Sequence, residues 1–398
     1  MFEKIVIRSS DSGQPISLGE LAEALFFYQN VHIILDYSSL TQLITTISMQ
    51  KLLQLLSRKN VSAVYCEDIL ATQTQKHGMI EVHSLASIMI SGDQTVGQLT
   101  NRRDRLEYIL TKQGHNKKQA KALIEQFRKR VPIRKLTDNH YVEGGILNAA
   151  YQDLSDKDFI HEATKRTLIK EIGTKLPLGD YKFTLDVYNP NIYVNTNIDF
   201  SEVNRILKQT SSQIDVITPA YLIQNILVAK ADTILAANYG GEFYTSALSS
   251  EIIQLRHNEL LKRVNIDKKE LNMFKEITIP NCPSIREVIN SGERSFDEFL
   301  ELLEKSNKFR EWVHGVNPDE KIANAYLNEI TSQAWVNKGP TKVLRYVLST
   351  AIGAIEPISG AAFSAADTFI LEKFAGGWYP SHFVNKQLKP FVSSPETN

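Results

Sequence analysis

Between Ile5 and Tyr65 the hydrophobic pattern alternates between strand-like and helix-like periods. Ile5-Val6-Ile7, Val31 to Leu35 and Val61 to Tyr65 are short β-rich runs, and Leu18 to Tyr28 and Leu40 to Leu56 between them carry helical spacing. Strands separated by helices of this length predict an α/β layer with some parallel pairing. Ser39 followed by Gln42 supplies capping-box chemistry for the second helix.

At 398 residues the chain exceeds one ordinary core, and 42% hydrophobic with 23% charged residues lies in the globular range. The formal net charge is zero, which argues against a surface that is cationic throughout. Cys66 and Cys282 are the only cysteines and are far apart, so there is no disulfide framework or cysteine metal-ligand spacing. The opening residues, Met1 to Arg8, mix charge into what a signal peptide would keep apolar. No stretch offers the roughly 18 to 20 apolar residues of a spanning helix. The expectation is a soluble, cytoplasmic protein.

From Asn101 to Lys135 there are twelve Lys or Arg against three acids. Ala120, Leu123, Ile124, Phe127 and Val131 repeat at helical spacing opposite Lys117, Lys121 and Arg128, which predicts an amphipathic basic helix. Gly114 separates it from a preceding helix near Arg105 to Lys112. Tyr181 to Asp186 and Asn191 to Asn195 predict a β-hairpin turning at Asn189-Pro190-Asn191. Thr218 and Pro219 start a helix with few charges on any face, a core helix by pattern. Ile279-Pro280-Asn281-Cys282-Pro283 reads as a linker, and Ser295 with Glu298 as a capping box beyond it.

The fold class expected is α+β and predominantly helical, with an N-terminal α/β layer, a central β-hairpin with helices and an all-helical C-terminal region. The expected divisions are an α/β domain over 1–95, a basic helical region over 96–175, the hairpin with core helices over 176–279, a helical domain over 284–392 and a disordered tail over 393–398.

The phosphate loop, the dinucleotide fingerprint, the nucleophile elbow and the His-Glu-x-x-His zinc motif are all missing. His77 and His83 are the closest histidine pair and have no acids at ligand spacing. Three acids follow or open regular elements: Asp36 after His32-Ile33-Ile34-Leu35, Asp158 in Ser155-Asp156-Lys157-Asp158, and Asp199 after Thr196-Asn197-Ile198. In outline these patches resemble the acidic motifs of PIN-type nucleases, although Asp36 follows an extra βα unit and Asp199 stands one position late. The resemblance implies Asp36, Asp158 and Asp199 as catalytic ligands of a divalent metal; without it no cofactor is expected. Each acid also has a structural role available: Asp199 as a helix cap before Glu202, Asp158 as the third-position acid facing Ser155, and Asp36 in an Asx turn.

The second candidate site is the basic segment, with Arg102, Arg103, Lys117, Lys118, Lys121 and Arg128 as polyanion-binding residues. Nucleic acid through Arg102 to Lys135, a partner protein or self-association are the partners expected. Internal pairing with the acidic stretch from Phe296 to Ile330 is the structural alternative. Tyr108 and Phe127 are its only aromatics, too few for base stacking.

The third is the run from Tyr346 to Ala366, interrupted by Glu356-Pro357. Each half is ten uncharged residues, about 15 Å as helix against about 30 Å of hydrocarbon. A close-packed helical hairpin is expected, with Ser349, Gly353, Gly360 and Phe363 at the contact. A membrane enters only as a conditional event, in a toxin-like or host-defence effector. The preferred reading is a binding protein rather than an enzyme.

Overall fold

The computed structural model describes residues 4–9, 14–78, 80–173, 181–209, 216–243, 248–249, 251–253, 255–256, 276–279, 285–315, 344–347, 387–388 and 391. The architecture is α+β and mostly helical, organised about a parallel sheet. Strands β1 (Lys4–Ile7), β2 (Asn30–Leu35) and β3 (Val61–Tyr65) pair in parallel, Val6 opposite His32 and His32 opposite Ser62. A short strand contributed much later, β8 (Glu242–Phe243), joins the other edge of β1, giving the order β3-β2-β1-β8. These strands are buried along nearly their whole length because both faces are covered, which is why their sequences read as apolar runs.

Helix α1 (Leu18–Phe27) is capped by Ser17, whose hydroxyl accepts from the Glu20 amide. The expected single helix over Leu40 to Leu56 is two, α2 (Tyr37–Ile47) and α3 (Met49–Leu55). The break is Ser48, the C-cap of one and N-cap of the other, at φ +72°. That left-handed value cannot continue a helix. The cap of α2 also differs from the expectation: it is Asp36, three residues nearer β2 than a cap at Ser39 would be. Its carboxylate accepts from the Ser39 amide at 2.8 Å and the Ser39 hydroxyl at 2.9 Å.

On one side of the sheet Ile5, Ile7, Ile33, Leu35, Ala63 and Tyr65 pack in a single apolar cluster. Helices α1 to α3 contribute to it, as do α5 (Arg102–Lys112) and α6 (Lys117–Arg130). So do the distant helices α11 (Ile285–Asn290), α12 (Phe296–Lys305) and α13 (Asn307–Gly315). The expected Ser295–Glu298 capping box opens α12. Arg286 of α11 reaches the buried Glu23 carboxylate at 2.8 Å. Burial pushes that carboxyl up to about 7 against the pull of the guanidinium.

The opposite side of the sheet, with Val6, Ile34, Val64 and Cys66, faces a second cluster. It contains α7 (Gly145–Leu154), α8 (Lys157–Ile172), α9 (Phe200–Leu207) and α10 (Pro219–Tyr239). A four-stranded antiparallel sheet, β4 (Ile69–His77), β5 (Ile80–Ile88), β6 (Phe183–Tyr188) and β7 (Asn191–Thr196), packs here in the order β4-β5-β7-β6. The expected hairpin is β6-β7, turning at Asn189-Pro190. Gln224 of α10 closes part of the β4 edge, its amide accepting from Thr72 N–H at 2.7 Å and donating to Leu70 O at 3.1 Å.

Among the described residues α10 alone is long and apolar enough to cross a membrane by length and composition, and 61% of its apolar window is buried inside the fold. The expectation that no segment reaches such a length is corrected here. A count of uninterrupted apolar residues stops at Lys230 and Asp232, whereas the helix runs through both.

Towards the C-terminus β9 (Glu276–Ile279) pairs antiparallel with β10 (Leu344–Val347). Leu344 to Val347, in the C-terminal region expected to be all-helical, therefore lie in a strand. Residues 280–283 of the expected linker, the hairpin residues Ser349, Gly353, Gly360 and Phe363, and the tail 393–398 lie outside the described residues.

Helix α1 meets α11 at Gly19, where a Cβ would stand 2.3 Å from the carbonyl oxygen of Arg286. In an open helix Gly→Ala stabilises by about 1 kcal/mol. Gly19→Ala is expected to do the reverse and destabilise by about 1–3 kcal/mol through forced separation of two backbones. Urea unfolding reads the sign directly.

Candidate functional site

The basic segment is two helices packed together in one core rather than an appendage. Asn116 and Gln119 form a reciprocal capping box at the start of α6, at 2.9 and 3.1 Å. Gly114 precedes it at φ +90°, a value glycine adopts freely. Ala120, Leu123, Ile124, Phe127 and Val131 are buried, as their spacing predicts. Locking that stripe into the core leaves Lys117, Lys118, Lys121, Arg128, Lys129 and Arg130 exposed along the other side.

The six expected cations separate into three groups. Arg102 is half-buried and turned towards Glu67, 3.1 Å from its carboxylate and above the Tyr65 ring. Arg105 joins the same carboxylate at 2.6 Å. Burial alone would raise the Glu67 carboxyl, but hydrogen bonds and charge from Arg105 and Arg102 outweigh it and hold it below its ordinary value. Arg103 and Arg128 form the second group, sharing Glu125 at 3.6 and 3.5 Å. Lys117, Lys118 and Lys121 are the third, and among the described residues they enter no ion pair.

Lys129 belongs with them, exposed and, among the described residues, without an ion pair, although it is not one of the six expected cations. Its position was legible: eleven residues after Lys118 is three helical turns, which returns to the same stripe. Two acids of α12 pair elsewhere, Asp297 with Lys51 at 2.5 Å and Glu304 with Arg58 at 2.8 Å.

Asp36, Asp158 and Asp199 each lie at a helix start and are not brought together. Asp36 is buried and spends both oxygens on Ser39. Asp199 is exposed and caps α9 by accepting from the Ser201 and Glu202 amides. Asp158 is exposed in the first turn of α8, whose cap is Asp156 rather than Ser155. Asp156 also holds Arg256 at 2.8 Å, and Arg256 reaches the buried Asp153 at 3.0 Å. Among the described residues no group of three or more His, Cys, Asp or Glu could hold a metal ion.

A different polar array lies between the parallel sheet and the C-terminal end of α10. Cys66 Sγ, Tyr141 Oη and Tyr239 Oη stand in sequence at 3.2 and 3.1 Å. The Tyr239 ring stacks on buried His32 at 3.8 Å, and Lys4 of β1 donates to the Tyr239 carbonyl. Burial pushes the Cys66 thiol up to about 11, so it is no thiolate nucleophile at neutral pH. His32 Nδ1 meets Ser62 Oγ at 2.8 Å, while Nε2 is buried with no hydrogen-bond partner. Burial first, then the neighbouring charge of Lys4, lowers the imidazole from 6.5 to about 4.

That neutral imidazole couples stability to pH. The unfolded chain binds a proton below about pH 6.5 while the folded one refuses it until about pH 4, so stability is complete above that window and falls within it. Relative to His32→Phe, wild type should lose about 3 kcal/mol across the window. Denaturant titrations of both proteins at several pH values measure the difference, and parallel curves would contradict it.

Comparison of the chain with protein-family models, with curated proteins and with solved structures finds no match.

Proposed function

We propose that the exposed face of α6, extended by Arg103 of α5, binds a polyanion, and that the protein acts by binding rather than by catalysis. The observation that carries this reading is the set Lys117, Lys118, Lys121 and Lys129, exposed and, among the described residues, in no ion pair, on a helix whose opposite side is committed to the core. A rigid row of uncompensated lysines attracts repeated negative charge and releases its counterions. Lysines act as point charges without the planar fork that reads a base, so recognition is of backbone phosphate and independent of sequence.

From Lys117 to Lys129 the helix rises about 18 Å. Duplex nucleic acid carries one charge per about 1.7 Å of axis, so a face of this length meets several phosphates. Asp36 and Asp199 are occupied as caps and Asp158 stands apart from them, which counts against the competing nuclease reading. The expected C-terminal hairpin carries no part of the proposal.

A labelled mixed-sequence DNA duplex, titrated by fluorescence anisotropy, tests the reading. With about five phosphates neutralised, log affinity should fall against log salt with a slope of about −4 to −5. The Lys117→Glu/Lys121→Glu/Arg128→Glu variant should bind at least about tenfold more weakly at low salt while keeping its circular dichroism spectrum. Salt-insensitive binding, or equal affinity in the variant, sinks the proposal. Cleavage of the duplex with divalent metal that disappears in Asp36→Asn would favour the nuclease instead.

A further inference from the structure

We infer that Glu125 is an internal competitor for the polyanion and sets how tightly the α6 face binds. This rests on the binding role proposed for that face. Glu125 is the one acid on α6, against six Lys and Arg. Its carboxylate lies 3.6 Å from Arg103 Nη2 on α5 and 3.5 Å from Arg128 Nη1 one turn on. All three side chains are about half exposed, so the pairs are reached by solvent and by any incoming anion.

Two consequences follow from that placement. The pairs are weak enough to be exchanged, because exposed ion pairs gain little over water. A phosphate that takes over Arg103 or Arg128 must displace the carboxylate or lie beside it as a like charge, so every such contact is opposed. Lys117, Lys118, Lys121 and Lys129 enter no ion pair among the described residues and form the open part of the face. The two arginines join only when the ligand's charge density is high enough to outcompete Glu125. The device discriminates against small or sparsely charged anions without a pocket to exclude them.

Glu125→Gln keeps the side chain's size and removes its charge. Asp104→Asn is the matched control, since Asp104 follows Arg103 on α5, is exposed and, among the described residues, enters no ion pair. With the same DNA duplex, Glu125→Gln is expected to tighten binding about tenfold at low salt and to steepen the salt slope by about one to two. Asp104→Asn should give the smaller gain of an unpaired charge change. In an Arg103→Gln/Arg128→Gln background the advantage of Glu125→Gln over Asp104→Asn should vanish.

Equal gains from the two substitutions, or an advantage that survives loss of both arginines, overturn the competitor role and leave the binding reading standing. A wild-type protein that does not bind the duplex at low salt overturns both.

Discussion

Strands β1, β2 and β3 lie in parallel with neither face open to water, and much of the rest of the fold serves that arrangement. A parallel sheet needs a covering layer on each side. The chain meets the requirement with elements distant in sequence. One face receives α1, α2 and α3 together with α5, α6 and helices beyond residue 284. The other receives α7 to α10 and packs towards the antiparallel sheet. Even the strand order depends on distance, because β8 reaches the free edge of β1 only after α10 has been laid down.

The charge distribution follows from the same requirement. Residues that tie a covering layer to the sheet are buried and paired: Arg8 with Asp232 of α10 at 2.7 Å, and Glu67 with Arg102 and Arg105 of α5. Glu67 stands just past the end of β3, so anchoring the basic helices uses two of their own arginines. Farther along the same segment Lys117, Lys118, Lys121 and Lys129 are exposed and, among the described residues, enter no ion pair. Anchoring and the proposed binding are thus divided within one short stretch, the first given to partly buried arginine and the second to exposed lysine, as their different hydration favours.

Much of the local structure was legible in the residues. The apolar stripe of α6, the Thr218-Pro219 start of α10, the Ser295–Glu298 box and the β6-β7 hairpin all follow from spacing and capping chemistry that act within a few residues. Ser48 was not legible, because nothing in its side chain requires a positive φ; the break is imposed by packing α2 and α3 on the same sheet. Arg102 looked equal to Lys117 as a surface cation. Only the position of Glu67, thirty-five residues earlier, separates them.

By itself the sequence determined where many of the helices and strands lie, which faces are apolar, and that a neutral chain carries its excess cations in one segment, because these properties are set by neighbours along the chain. Tertiary structure decided which carboxylates meet which cations. It split the basic residues into anchored, shared and open groups, and turned three separate acids into helix-start residues instead of a cluster. Such pairings depend on distances between residues far apart in sequence, and those distances exist only once the covering layers have closed on the parallel sheet.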